Sequence, residues 1–157
     1  MSQKVKQEND LEGLLVSILG IMIILGGTGV IYFWIAHSIQ SNVSASDVAP
    51  NDPITKWIWL ALGGFFFLYG VVGTMMEKIG VGWGPAYNQV STILEGTGAI
   101  VSGIGTTIGG LLMLATAALI FYPSLTAIFH PFATLICGFV SVILGWGCGP
   151  IIRALGY

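Results

Sequence analysis

Four uninterrupted apolar stretches constrain the fold of this chain more than any other feature. They lie at residues 14–36, 57–76, 98–122 and 132–152, and the last could begin earlier, near Leu125. A helix needs about 20 apolar residues to cross the hydrocarbon of a bilayer, and backbone groups in lipid must bond within their own segment. The sequence therefore predicts an all-α integral membrane protein with four transmembrane helices in a single transmembrane domain, residues 1–157.

The charge content supports a lipid environment. Only 8% of the residues are charged, five of them basic and seven acidic, whereas soluble domains carry about 25%. So few charges cannot cover the surface of a water-soluble fold of this length. The basic residues are scattered singly, which argues against nucleic acid as a partner and leaves the lipid bilayer as the predicted surroundings.

The connections between the segments predict an orientation. Residues 38–55 form a polar loop and residues 77–90 a glycine-rich loop. Lys4 and Lys6 precede the first segment, Lys78 lies in the second loop and Arg153 follows the last segment, whereas the other two connections hold only Lys56, at the boundary of the second segment. By the positive-inside rule both termini then face the cytoplasm, and we expect the chain in an inner or plasma membrane.

A faint internal match suggests a duplicated hairpin. The triplet at residues 11–13 (LEG) recurs at residues 94–96, and the same offset of 83 superposes Gly20 on Gly103 and residues 26–27 on 109–110. A gapped match pairs residues 64–65 with 138–139. Two tandem hairpins in parallel would follow, related by a two-fold axis along the membrane normal. Glycine-rich helices also match by chance, so a bundle without a repeat is the alternative.

The third segment carries a row of small residues. Gly98, Ser102, Thr106 and Gly110 follow one another every four positions, and Gly105 and Gly109 form a GxxxG motif. The bulky residues are predicted on the opposite face: Ile100, Val101, Ile104, Ile108 and Leu111. Because small residues let helices approach closely in lipid, we interpret the row as a packing face within the chain. A seam between copies, or a pore lining, is the alternative.

Two carboxylates occupy matching places before the first and third segments. Glu12 and Glu95 would each be stabilised there by the positive end of a helix dipole. A carboxylate inside a membrane marks an ion or proton path. Glu95 lies only three residues before Gly98, which makes it the candidate polar functional residue.

The end of the fourth segment predicts irregular backbone. Glycines alternate at positions 145, 147 and 149 and Pro150 follows. Proline lacks an N–H and disfavours a helical residue before it, so we expect the helix to break or kink here. Trp146 is expected to pack between helices.

Motifs for catalysis, metal binding or nucleotide binding are absent from the sequence, which contains no HExxH, GxSxG, P-loop or CxxC pattern. Cys137 and Cys148 are interpreted as small packing residues. His37 and His130 could hold a haem or metal between helices, but they have no carboxylate beside them. We therefore predict no catalytic residue, no metal and no cofactor.

The length and helix count are similar in outline to the duplicated proteolipids of rotary ATPases. Their mechanism needs a mid-membrane carboxylate in helix two or four, and the second and fourth segments here contain none. We predict instead a non-enzymatic subunit that serves as a structural, assembly or pore-forming component of a larger membrane complex, such as a secretion or transport machine, with copies of itself or other subunits as partners. The alternatives are a small oligomeric channel or transporter and a cofactor-binding membrane anchor.

Overall fold

A computed structural model describes residues 3–38, 53–79 and 97–155 of the chain. The described residues form four long helices: α1 (Gln3–Ser38), α2 (Pro53–Ile79), α3 (Thr97–Phe121) and α4 (Pro131–Ala154). Each contains a stretch long and apolar enough to cross a membrane: Leu11–Ser38, Ile54–Val72, Ile100–Phe121 and Pro131–Ile152. The prediction of four such helices is confirmed.

The helices extend beyond the apolar segments where the flanking residues favour helix. α1 begins at Gln3 because the polar leader is rich in Lys, Gln and Glu, which are good helix formers, and has no proline. Glu12 therefore lies in the third turn of α1, and its predicted role at the helix terminus is wrong, since the dipole acts within the first turn. α2 and α4 begin at Pro53 and Pro131, and proline is favoured in the first turn.

A short 3₁₀ helix, Pro123–Ala127, joins α3 to α4. The backbone N–H of Leu125 donates to the carbonyl of Tyr122 at 3.0 Å, and that of Ile128 donates to the carbonyl of Leu125 at 3.0 Å. Three-residue spacing of the bonds tightens the chain into a compact turn. The fourth helix accordingly starts at Pro131 and not near Leu125.

The fourth segment was expected to break or kink at its end, and a break is excluded, because α4 continues through Pro150 to Ala154. Proline at this position removes one backbone donor, but only one further turn of helix follows, so the loss is confined to the helix end. Gly149 also packs against α3, where a methyl group on it would lie 2.9 Å from the carbonyl oxygen of Gly98.

Helix α3 lies at the centre of the bundle and contacts each of the other three. Half of the apolar span of α3 is buried inside the structure. The buried share is 44% for the span of α4, 22% for that of α1 and 11% for that of α2. α2 and α4 pack closely on α3, and α1 lies in the groove between α3 and α4.

An apolar cluster joins α1 to the centre. Ile24 of α1, Val101 of α3 and Ile152 of α4 form it, with the side chains of Ile108 and Leu144 packed alongside. Gly20 permits this approach, since a methyl group there would lie 2.9 Å from a methyl of Val101. A methyl group at Gly27 would likewise lie 3.3 Å from Leu144 Cδ1, so α1 is held by the packing of side chains against two of its glycines.

The packing does not show the predicted repeat. A two-fold relation between the hairpins would place α1 on α2 as closely as α3 lies on α4, and the described helices do not pack in that way. The matched positions also differ in surroundings. A methyl group at Gly26 would meet no atom within 4 Å, whereas one at the matched Gly109 would lie 2.6 Å from the carbonyl oxygen of Gly138.

Candidate functional site

The backbones of α3 and α4 approach each other at three levels, each marked by a pair of glycines. The pairs are Gly98 with Gly149, Gly105 with Gly145, and Gly109 with Gly138. A methyl group built on Gly105 would lie 2.6 Å from the Cα of Gly145, whereas carbon atoms in contact stay about 3.5–4.0 Å apart. Any larger residue at this level must push the two helices apart. We call this contact the α3–α4 seam.

Hydrogen bonds of hydroxyl groups also stabilise the α3–α4 seam. Thr106 Oγ1 donates to the carbonyl oxygen of Ser102 at 2.8 Å and accepts the indole N–H of Trp146 at 2.9 Å. Ser141 Oγ donates to the carbonyl oxygen of Gly105 at 3.1 Å. Thr106 is 1% exposed and Ser102 is 4% exposed. Buried polar groups need partners, and here the partners of Thr106 and Ser141 lie within the chain.

A second small-residue face of α3 packs against α2. Gly110 lies against the backbone of Phe67, and Gly103 lies against the Thr74 hydroxyl. The Thr107 hydroxyl donates to the carbonyl of Gly103 at 2.8 Å, four residues earlier in α3. A threonine hydroxyl that donates to its own helix in this way has a hydrogen-bond partner and needs none from a neighbouring helix.

The predicted row of Gly98, Ser102, Thr106 and Gly110 is split between these two faces. A step of four residues exceeds one helical turn by about 40°, so three steps drift by about 120° around the helix. Gly98 therefore faces α4 and Gly110 faces α2. The GxxxG residues Gly105 and Gly109 both lie on the α4 side.

The bulky residues predicted opposite the small-residue row do not share one environment. The side chain of Val101 is completely buried beneath α1, where it meets Gly20 and Ile24. Leu111, by contrast, is half exposed. Three neighbouring helices leave α3 only a narrow outward face.

Sequence reasoning missed the glycines on the partner helices. Gly138 and Gly145 on α4 were not recognised as counterparts of α3, nor were Gly63 and Gly70 on α2. The signal was present, because each pair is spaced by seven residues, about two helical turns. The same spacing joins Gly98 to Gly105.

Aromatic side chains close the side of the bundle where α2 and α4 meet. The rings of Phe66 and Trp146 lie 6.2 Å apart, and those of Trp59 and Phe139 lie 6.2 Å apart, both edge to face. Together with its bond to Thr106, this contact places Trp146 across α2, α3 and α4, in line with its expected packing between helices.

The remaining candidate residues do not join the seam. Glu95 lies outside the described residues. His37 is exposed at the end of α1. His130 Nδ1 accepts the backbone N–H of Ala133 at 3.3 Å, and the backbone N–H of His130 donates to Tyr32 Oη at 3.1 Å. Within residues 3–38, 53–79 and 97–155, no three His, Cys, Asp or Glu side chains gather as a metal site would require.

The seam therefore offers close helix contact and satisfied hydroxyls rather than acid–base groups. Both cysteines are free thiols: Cys137 is buried against α1 and Cys148 is half-buried.

No protein-family model, curated protein or solved structure matches this chain.

Proposed function

We propose that this chain is a non-enzymatic subunit of a larger membrane complex, embedded in an inner or plasma membrane with both termini in the cytoplasm. The proposal rests on where the small-residue faces lie. These faces pack α2, α3 and α4 against one another and so form a compact three-helix core. The long apolar faces of α1 and α2 are left for lipid or for partner helices.

The burial of the seam hydroxyls favours a structural role over conduction through a single copy. A pore lining must present its polar groups to water, yet Ser102 and Thr106 are at most 4% exposed. The Thr106 hydroxyl is also engaged by both the Ser102 carbonyl and the Trp146 indole. A path along this face would require the α3–α4 seam to open.

The lengths of the connections also favour a subunit. The two stretches between described helices, residues 39–52 and 80–96, are too short to form a domain of their own, since independent folding below about 40 residues needs disulfides or metals. Between these helices, recognition of other proteins would then rely on helix faces and short loops.

The mass of the particle extracted gently from its own membrane tests the proposal. Native mass spectrometry in lipid nanodiscs should give either multiples of the 16.6 kDa chain or a complex that contains additional chains. A single 16.6 kDa chain with bound lipid, in membranes that express the protein at its natural level, would contradict it.

A conduction assay provides the control for the channel alternative. Vesicles that contain the wild-type protein are compared with vesicles that contain Thr106→Leu and empty vesicles. We expect equal, background permeability in all three. Conduction that Thr106→Leu abolishes, with the particle mass unchanged, would favour the channel.

A further inference from the structure

The contact of α1 with α4 has an apolar part, at Ile24 and Ile152, and a separate polar part. Tyr32 and Thr28 lie on the α1 side, and His130 and Cys137 lie on the α4 side. Tyr32 Oη accepts the backbone N–H of His130 at 3.1 Å, and the Cys137 thiol donates to the carbonyl oxygen of Thr28 at 3.5 Å. These four residues define the α1–α4 polar joint.

Thr28 is the unusual member of this joint. Its side chain is 7% exposed, and its hydroxyl has no hydrogen-bond partner within the described helices. Several other hydroxyls in these helices donate to the carbonyl four residues earlier. The ones that do so include Ser17, Thr74, Thr106, Thr107, Thr116 and Thr134. The Thr28 hydroxyl makes no such bond, and it lies on the buried side of α1.

A second unpartnered atom lies on the same joint. His130 Nδ1 accepts a backbone N–H, so the neutral ring carries its proton on Nε2, and Nε2 is buried without a partner among the described residues. Buried polar groups that no protein atom satisfies are the usual ligands of internal water, which makes about two to four hydrogen bonds.

We propose that the α1–α4 polar joint binds an internal water molecule at Thr28. The Thr28 hydroxyl donates to the water oxygen. The water in turn donates to the Cys137 sulfur, which is a weak acceptor, because the Thr28 carbonyl already accepts the Cys137 thiol and, within α1, the backbone N–H of Tyr32. Helix α1 is then fastened to α4 partly through water, whereas α2, α3 and α4 are fastened by direct backbone contact.

Water-edited solid-state NMR of the protein in phosphatidylcholine bilayers tests the site directly. The wild-type Thr28 side-chain signal should receive magnetisation from water several times faster than that of Thr116, which is fully buried and bonded to the Leu112 carbonyl at 3.0 Å. Transfer to Thr28 as slow as to Thr116 would overturn the proposal.

A pair of variants tests the same site by the sign of a stability change. Removing a truly unpartnered hydroxyl raises stability, whereas removing a water ligand lowers it. We expect Thr28→Val to lower the apparent Tm by about 2–4 °C relative to the wild type, as Thr116→Val should also do through the loss of its bonded hydroxyl. A Tm for Thr28→Val equal to or above that of the wild type would overturn the proposal.

Discussion

A single methyl group added at Gly105 should loosen the α3–α4 seam. In Gly105→Ala the new carbon would lie 2.6 Å from the Cα of Gly145. The contact is with backbone, which cannot swing aside, so α3 and α4 must separate by about 1 Å at this level to restore a normal carbon–carbon distance. Overpacking of this kind costs about 1–3 kcal/mol. Alanine also favours helix over glycine by up to about 1 kcal/mol, which offsets part of the loss.

Gly147→Ala is the matched control for that substitution. Gly147 lies on α4, two residues from Gly145, and a methyl group there would meet no atom within 4 Å. It gains the same helix propensity without the clash, so the difference between the two variants isolates the steric effect. We expect Gly105→Ala to be less stable than Gly147→Ala by about 1–3 kcal/mol.

Steric trapping in lipid bicelles measures the free energy of unfolding of both variants under native-like conditions. The double variant Gly105→Ala/Gly145→Ala should lose less than the sum of its single losses, because the first methyl group already separates the helices. If Gly105→Ala lies within about 0.5 kcal/mol of Gly147→Ala, the close backbone contact between α3 and α4 is not formed.

Three further predictions follow from the same geometry. Trp146→Phe keeps a ring beside Phe66 but removes the donor to Thr106, so it should lower the unfolding free energy by about 0.5–1.5 kcal/mol; Trp34→Phe, at a side chain that is 69% exposed, should change it by less than about 0.5 kcal/mol. Thr28→Cys in a Cys148→Ser background should form a disulfide with Cys137 on mild oxidation, because the Cys137 sulfur lies 3.5 Å from the Thr28 carbonyl; a chain that remains reduced on gel analysis would place α1 elsewhere. Ser2→Cys, in a background without the native cysteines, should react with a membrane-impermeant maleimide only after the cells are permeabilised; labelling of intact cells would reverse the proposed orientation.

The number of helices was predictable from the sequence because hydropathy and length report directly on it. The residues at which the helices begin and end were harder to predict. The start of α1 at Gln3, for example, depends on polar helix formers that carry no hydropathy signal. The continuation of α4 through Pro150 depends on how little helix follows the proline. It depends also on the packing of Gly149 against Gly98, a contact between residues 51 positions apart that no local pattern contains.

The candidate site was predictable only in outline. The sequence shows the small residues of α3, but a row with a four-residue step drifts around the helix from Gly98 to Gly110 and so does not form one face. The glycines of α4 were interpreted as helix breakers because Gly145 and Gly149 lie beside Pro150, and their pairing with α3 is a tertiary property. The role of Glu95 stays a prediction, since that residue lies outside the described part of the chain.

The position of α1 has a consequence for biogenesis. In a chain that enters the membrane as it is synthesised, α1 arrives first, yet the residues that cover it belong to the last two helices. At about 5–20 residues per second, the 109 positions that separate Thr28 from Cys137 take about 5–20 s to synthesise. During that interval the Thr28 hydroxyl faces lipid or the insertion machinery, and α1 reaches its final place only after α4 has been made.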